Sequence, residues 1–149
     1  NTPIFIKPYP MKANDLLFNG SSETPEEVAF ASLVPIQLEG SLLNSFCFGY
    51  RFTDFTKVSP LFFAYLLRSV KGRETISLLA QGSTRYNISK SALSKVEWHL
   101  PSLETQIDIA NQLLDIDENL DTMKFELQKY ESLKRGMMND LLTGKVRLV

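Results

Sequence analysis

Cysteine and histidine are almost absent from this 149-residue chain, where Cys47 and His99 each stand alone. One cysteine excludes an internal disulfide and points to a cytoplasmic setting. A single histidine with a single cysteine almost excludes a Cys/His zinc site and a Cys-His nucleophile pair drawn from distant parts of the chain. A Gly-rich phosphate loop followed by Lys-Ser/Thr, a GxGxxG after a strand and an HExxH are all missing. His99, between Trp98 and Leu100, lacks the partner that a catalytic histidine needs and reads as a surface or structural group. No apolar run approaches the ~18 residues of a membrane span, and no signal-peptide layout is visible. What the chain does have is 44% hydrophobic and 22% charged residues, the balance of a globular domain rather than a disordered one. It opens on Asn1 rather than methionine, which leads us to expect a trimmed or partial polypeptide.

Net charge is also lacking, at −1, but the distribution is uneven. Between residues 51 and 95, Arg51, Lys57, Arg68, Lys71, Arg73, Arg85, Lys90 and Lys95 face only Asp54 and Glu74. Such a local basic field suits a phosphate-bearing partner, although a solvated surface is its commoner explanation.

Residues 1–14 contain Pro3, Pro8 and Pro10 and read as an irregular lead-in. Asp15 to Asn19 reads as a short strand closed by Gly20-Ser21-Ser22, and Glu23 to Glu27 as a polar loop or single helical turn. Val28–Val34 and Asn44–Phe52 are β-rich. In the second run Phe46, Phe48, Tyr50 and Phe52 alternate with small or polar residues, as on a half-buried strand. Ser59-Pro60 sets a cap and a first helical position. The helix it opens carries an apolar stripe as far as Val70, with Gly72 interrupting it before a second short helix at Arg73–Ala80. Ile88 to Leu93 reads as a helical turn, and Lys95 to Leu100 as a strand stopped by Pro101.

From Ser102 to Leu142 there is no proline, and Gly136 is the only glycine. Ile109, Leu113, Ile116, Leu120, Met123, Leu127 and Tyr130 recur in steps of four and three, and Met137 and Leu141 continue the line. That is heptad spacing, with Lys134 taking the intervening position. A helix of this length spans roughly 60 Å at ~1.5 Å per residue, about twice the ~30 Å diameter of a domain of some hundred residues. We therefore expect these nine apolar residues to pair with another helix, because so long an apolar line does not stay in water. The carboxylates Asp108, Asp115, Asp117, Glu118 and Asp121 fall mainly off the line, as on a solvated face. The expected fold is α+β: a small mixed globular domain at 1–101, one long helix at 102–144 that Thr143-Gly144 stops, and a short tail or strand at 145–149.

Gln81-Gly82-Ser83-Thr84-Arg85-Tyr86-Asn87 is the segment best equipped for nucleic acid. It offers hydroxyls for phosphate oxygens, an arginine fork for phosphate or guanine, and a tyrosine that can pack on sugar or base. An ordinary polar connection is the competing interpretation. Lys71 and Arg73 join these seven residues as candidate DNA contacts. Asn19-Gly20-Ser21-Ser22 invites the same two readings, with the ordinary one heavier.

Several of these residues carry a resemblance. Leu100-Pro101-Ser102-Leu103-Glu104-Thr105-Gln106, then Ile109-Ala110 and Asp117, then Leu133 through Asp140-Leu141-Leu142-Thr143-Gly144-Lys145-Val146-Arg147 are similar to the specificity (S) subunits of type I restriction–modification systems. Asn14–Asn19, Gly82-Ser83-Thr84, Asn87-Ile88-Ser89 and Leu93 resemble, more loosely, the second half of that family's target recognition domain. The resemblance implies a non-catalytic subunit with two recognition domains, each followed by a long helix, the two helices paired antiparallel as a coiled-coil ruler between halves of a bipartite site. It implies double-stranded DNA, methyltransferase subunits and, through the complex, a restriction subunit as partners. S-adenosylmethionine and ATP would belong to those partner subunits, with no cofactor in this chain and no membrane. This chain departs from the pattern in having one recognition domain, without its N-terminal portion, and one helix. A half subunit that self-associates and a fragment that pairs with a missing half both fit.

Overall fold

A computed structural model of the chain describes residues 4–6, 11–37, 40, 41 and 43–146. The chain divides into two compact units, Asn1–Ala110 and Asn111–Val149.

The first unit is built on a four-stranded antiparallel sheet made of β1 (Ile4–Ile6), β2 (Leu16–Asn19), β4 (Ala31–Leu33) and β5 (Cys47–Arg51), in the order β1-β5-β2-β4. Strand β1 corrects the expectation of an irregular lead-in: the apolar Ile4-Phe5-Ile6, between flanking prolines, extends the sheet along β5. Strand β4 is shorter than its apolar run. Ala29 takes φ 52, which turns Val28 and Ala29 out of the ladder while both stay buried. A separate two-stranded ribbon pairs β3 (Ser21–Ser22) with β6 (Tyr86–Asn87).

Two helices cover the sheet. α1 (Pro60–Arg68) starts as its sequence requires, with Ser59 Oγ accepting from Phe62 N and proline in the first turn. α2 (Val70–Ser77) is separated from α1 by Ser69 alone, and Ser69 serves both: its N–H bonds the carbonyls of Tyr65 and Leu66, and its Oγ accepts from Gly72 N. The interruption therefore falls at Ser69, and Gly72 lies inside α2. A Cβ at Gly72 would come within 2.0 Å of the Leu66 carbonyl, so the glycine marks the close approach of one helix to the other. α3 is the single turn Lys90–Leu93. The core joins Leu16, Phe18 and Phe48 of the sheet to Ala64, Leu67 and Ile76 of the helices.

Lys95–Leu100 is not a strand. Val96, Trp98 and Leu100 do turn inward and Glu97 and His99 outward, as the alternation required, but no strand pairs with the segment among the described residues. Trp98 packs edge-on against Phe63 at 5.9 Å. A ladder needs a second strand as well as a pattern.

The long helix expected at 102–144 is α4 (Leu103–Leu142), 40 residues that stop two short of the expected end, and the architecture is α+β. Ser102 Oγ accepts from Thr105 N at its start, and Gly144, with φ 69, closes its end through Gly144 N to Leu141 O at 3.3 Å. Within the first unit, Gln106 and Ala110 are buried. Gln106 Oε1 accepts from Ser59 N at 3.0 Å, and its Nε2 donates to Lys57 O and Pro101 O at 3.0 and 2.9 Å. In the second unit, Ile116, Leu120, Met123, Leu127, Tyr130 and Met137 are exposed, and Leu141 is half-buried. Of the expected tail, residues 147–149 lie outside the described residues. Among the described residues no helix is long and apolar enough to cross a membrane.

Candidate nucleic-acid interface

The two polar loops of the sequence come together in one ribbon. Gln81 and Asn87 exchange backbone bonds at 2.9 and 2.8 Å, closing Gly82–Tyr86 into a tight loop. Asn87 and Tyr86 lie opposite Ser21 and Ser22, and Ile88 N donates to Gly20 O at 3.2 Å. At the loop's base Gly82 has φ 133, and a Cβ there would stand 2.1 Å from Arg85 O. Only glycine closes this turn. The loop presents Gln81, Ser83, Thr84, Arg85 and Asn87 to solvent, with Tyr86 half-buried.

Lys71 is exposed on α2, away in sequence from that ribbon, whereas Arg73 turns inward. The Arg73 guanidinium donates to the carbonyls of Glu26, Val28 and Ala29 at 2.5 to 3.2 Å. Burial lowers its pKa from the ordinary arginine value, and its fork is already engaged within the fold. The same loop is held from β2, where Asn19 donates through Nδ2 to Glu27 O at 2.9 Å and accepts through Oδ1 from Phe30 N. Arg68 and Arg73 both lie over the Phe30 ring, at 5.2 and 5.3 Å from its centroid.

The basic field is thinner than its residue count. Arg51 makes a two-pronged pair with fully buried Asp15, Nε to Oδ1 and Nη2 to Oδ2, each at 2.6 Å. That hydrogen bond to Asp15 raises the arginine pKa further. Lys57, Lys71, Arg85, Lys90 and Lys95 are the members of the segment whose side chains are exposed and that have no role in the contacts just described; Lys90 lies 5.4 Å from the centroid of the Phe48 ring.

Residues 3–133 match the family described as type I restriction modification DNA specificity domain. The chain belongs to that family. It is 36% identical over 92 residues to the putative type I restriction enzyme MjaX specificity subunit of Methanocaldococcus jannaschii. To the MjaVIII specificity subunit of the same organism it is 34% identical over 92 residues. Each alignment takes in 62% of this chain, but 21% and 22% of those proteins, so the chain spans about a fifth of the relatives' length. The fold is similar to that of the type I restriction–modification S subunit from M. genitalium, with a TM-score of 0.68 and 20% identity over 90% of this chain and 33% of that one.

In this specificity domain, sequence reasoning passed over a cradle beside the ribbon. Phe46 breaks the alternation of its strand: it lies in the turn before β5 and is 64% exposed, while Phe48 and Phe52 are buried. Together with Ser21, Asn87 and Lys90 it lines a surface cavity of about 220 Å³. The signal available in the sequence was the Asn44-Ser45 turn chemistry just ahead of it. Asn44 Oδ1 accepts from Phe46 N at 2.6 Å, which keeps Phe46 in the turn and starts the strand only at Cys47, one residue too late for Phe46 to turn inward.

Proposed function

We propose that this chain is a non-catalytic DNA-recognition piece of a type I restriction–modification specificity subunit. Its ribbon and Gly82–Asn87 loop would meet duplex DNA, with Lys71 as an outlying phosphate contact. The observation that carries the reading is the union of the 19–22 and 81–87 loops into one backbone-bonded surface that presents Ser83, Thr84 and Arg85. Arg73 serves from within, by holding the loop that leads into β4. α4 acts as spacer and docking post. Its line from Ile109 to Leu141 pairs in antiparallel coiled-coil fashion with a second copy or with another half of the subunit, and methyltransferase subunits dock on the assembly. Methyl transfer from S-adenosylmethionine and ATP use belong to the partner subunits, and the setting is cytoplasmic.

The test is duplex binding by the chain together with its methyltransferase subunits, using a pool of random-sequence duplexes. Arg85→Ala is expected to weaken binding and to flatten the slope of log K against log salt by ~0.9 for each phosphate that the arginine neutralises. Affinity and slope like those of the wild type, with the fold intact, would remove the loop from the interface.

A second reading, an assembly module without DNA contact of its own, draws on the exposed line of α4 and on the internal engagement of Arg51 and Arg73. Salt-dependent duplex binding that Arg85→Ala weakens would reject it.

A further inference from the structure

The cradle beside the ribbon has features that the loop reading does not use. Phe46 is held by its backbone on both sides: its N–H donates to Asn44 Oδ1 at 2.6 Å, and its carbonyl accepts from Gly20 N at 2.7 Å. The next residue repeats the bond, Cys47 N to Asn44 O at 3.0 Å. An aromatic ring that is 64% exposed is therefore carried on a fixed turn rather than a loose one. Lys90 also lines the cavity, with its Nζ 5.4 Å from the centroid of the Phe48 ring, and Phe48 lines the cavity as well. The ammonium thus sits against an aromatic face, where the attraction of cation for ring holds a side chain that would otherwise sample many rotamers.

Ser21 supplies a third group. Its Oγ is buried and has no hydrogen-bond partner among the described residues, a cost that an incoming donor or acceptor can lift. Ser21 belongs to β3 and faces Asn87 of β6, so the cradle and the candidate DNA-binding ribbon share their framework. Gly20 keeps the space open: a Cβ there would come within 3.0 Å of Phe46 O and 3.6 Å of the Phe48 ring.

A fixed cation, an exposed ring and a hydroxyl around one small cavity match the parts of a single nucleotide. We propose that this cradle seats one nucleotide of the bound DNA, with Lys90 on its phosphate, Phe46 against its sugar, and Ser21 on a phosphate or sugar oxygen. The proposal rests on the DNA-recognition reading and extends it from the Gly82–Asn87 loop to a second contact supplied by different elements. The seat reads the backbone through Lys90, which positions the duplex, and adds apolar packing of the Phe46 ring on a sugar, which is the same for every base.

The experiment is the random-duplex titration across a series of salt concentrations, with methyltransferase subunits present, on the wild type, Lys90→Ala, Lys90→Arg, Phe46→Ala, Phe46→Tyr and Arg85→Ala. Circular dichroism and thermal midpoints accompany each variant. Lys90→Ala is expected to lower the salt slope by ~0.9, as for one phosphate contact, and Lys90→Arg to restore it. Phe46→Ala is expected to weaken binding about tenfold at every salt concentration with the slope unchanged, and Phe46→Tyr to retain binding. If Arg85→Ala weakens binding while both alanine variants at the cradle behave as wild type, the seat is overturned and the DNA-recognition reading stands. An effect in only one of Lys90→Ala and Phe46→Ala overturns the seat as a unit. Absence of duplex binding by the wild type overturns both readings.

Discussion

Ser59 and Gln106 face each other across 47 positions of chain, and the Ser59 N–H donates to the Gln106 side-chain oxygen at 3.0 Å. The residue that caps α1 is thus gripped by a residue in the first turn of α4, whose amide nitrogen also bonds Lys57 O and Pro101 O. Only a primary amide supplies an acceptor and two donors from one buried position. Gln106→Leu is expected to destabilise the chain by about 2–4 kcal/mol, because three backbone groups lose their partner at once. Gln106→Glu should be nearly as costly at neutral pH, since its carboxylate would face two carbonyl oxygens. Urea unfolding followed by tryptophan fluorescence measures both, with Trp98 as the only reporter.

Arg73→Ala should cost about 2–3 kcal/mol by removing the charge-assisted bonds to Glu26, Val28 and Ala29. Arg73→Lys should recover little, because an ammonium cannot reproduce the planar fork. Hydrogen exchange would locate the damage in residues 26–30, far in sequence from the substitution.

Burial holds the Tyr50 phenol above its ordinary value of 10.0. The folded chain therefore keeps a proton that the unfolded chain releases. This contribution to stability is complete below about pH 10 and is lost as pH climbs through the folded-state value. Relative to Tyr50→Phe, the wild type should hold a constant difference in urea midpoint up to about pH 10 and then fall behind. A parallel pair of curves throughout the alkaline range would show that the phenol is not held protonated.

Two glycines should respond oppositely to alanine. Gly136 has open space around its Cβ position and lies in the last two turns of α4, where its neighbours are exposed, so Gly136→Ala should raise helix stability by about 0.5–1 kcal/mol. Gly82 combines φ 133 with a close carbonyl, so Gly82→Ala should loosen the loop. Faster amide exchange at Gln81 and Asn87, whose backbones close it, is the readout.

The apolar line of α4 predicts association. Sedimentation or light scattering should show a concentration-dependent dimer, and replacing both Leu120 and Leu127 with glutamate should return it to monomer. A strict monomer at high concentration would exclude self-pairing for this chain.

What could be read from the sequence was mostly local. The start of α1 was legible because Ser59 and Pro60 act on their own neighbours. The 40-residue course of α4 was legible because heptad spacing and the lack of proline are properties of one segment. Gly72 was noticed but misassigned: its meaning lies in its distance from the Leu66 carbonyl, which composition does not carry. Arg73 was a candidate DNA contact, and the carbonyls of Glu26, Val28 and Ala29 that take up its fork come from a segment more than forty positions away that the sequence does not place beside it. The alternation of Val96, Trp98 and Leu100 gave the right faces and the wrong element, since a strand exists only with a neighbour. For the candidate interface, the composition of each polar loop was plain, but their pairing joins segments more than sixty residues apart and depends on the whole sheet between them.

The ribbon of Ser21–Ser22 and Tyr86–Asn87 is bonded through main-chain groups, as is the Gln81–Asn87 closure. Apart from Gly82, these bonds ask nothing of the side chains at Ser83, Thr84 and Arg85. The frame and the lettering are therefore separable: one backbone can carry many different side-chain messages at its tip, and a new message requires no new fold.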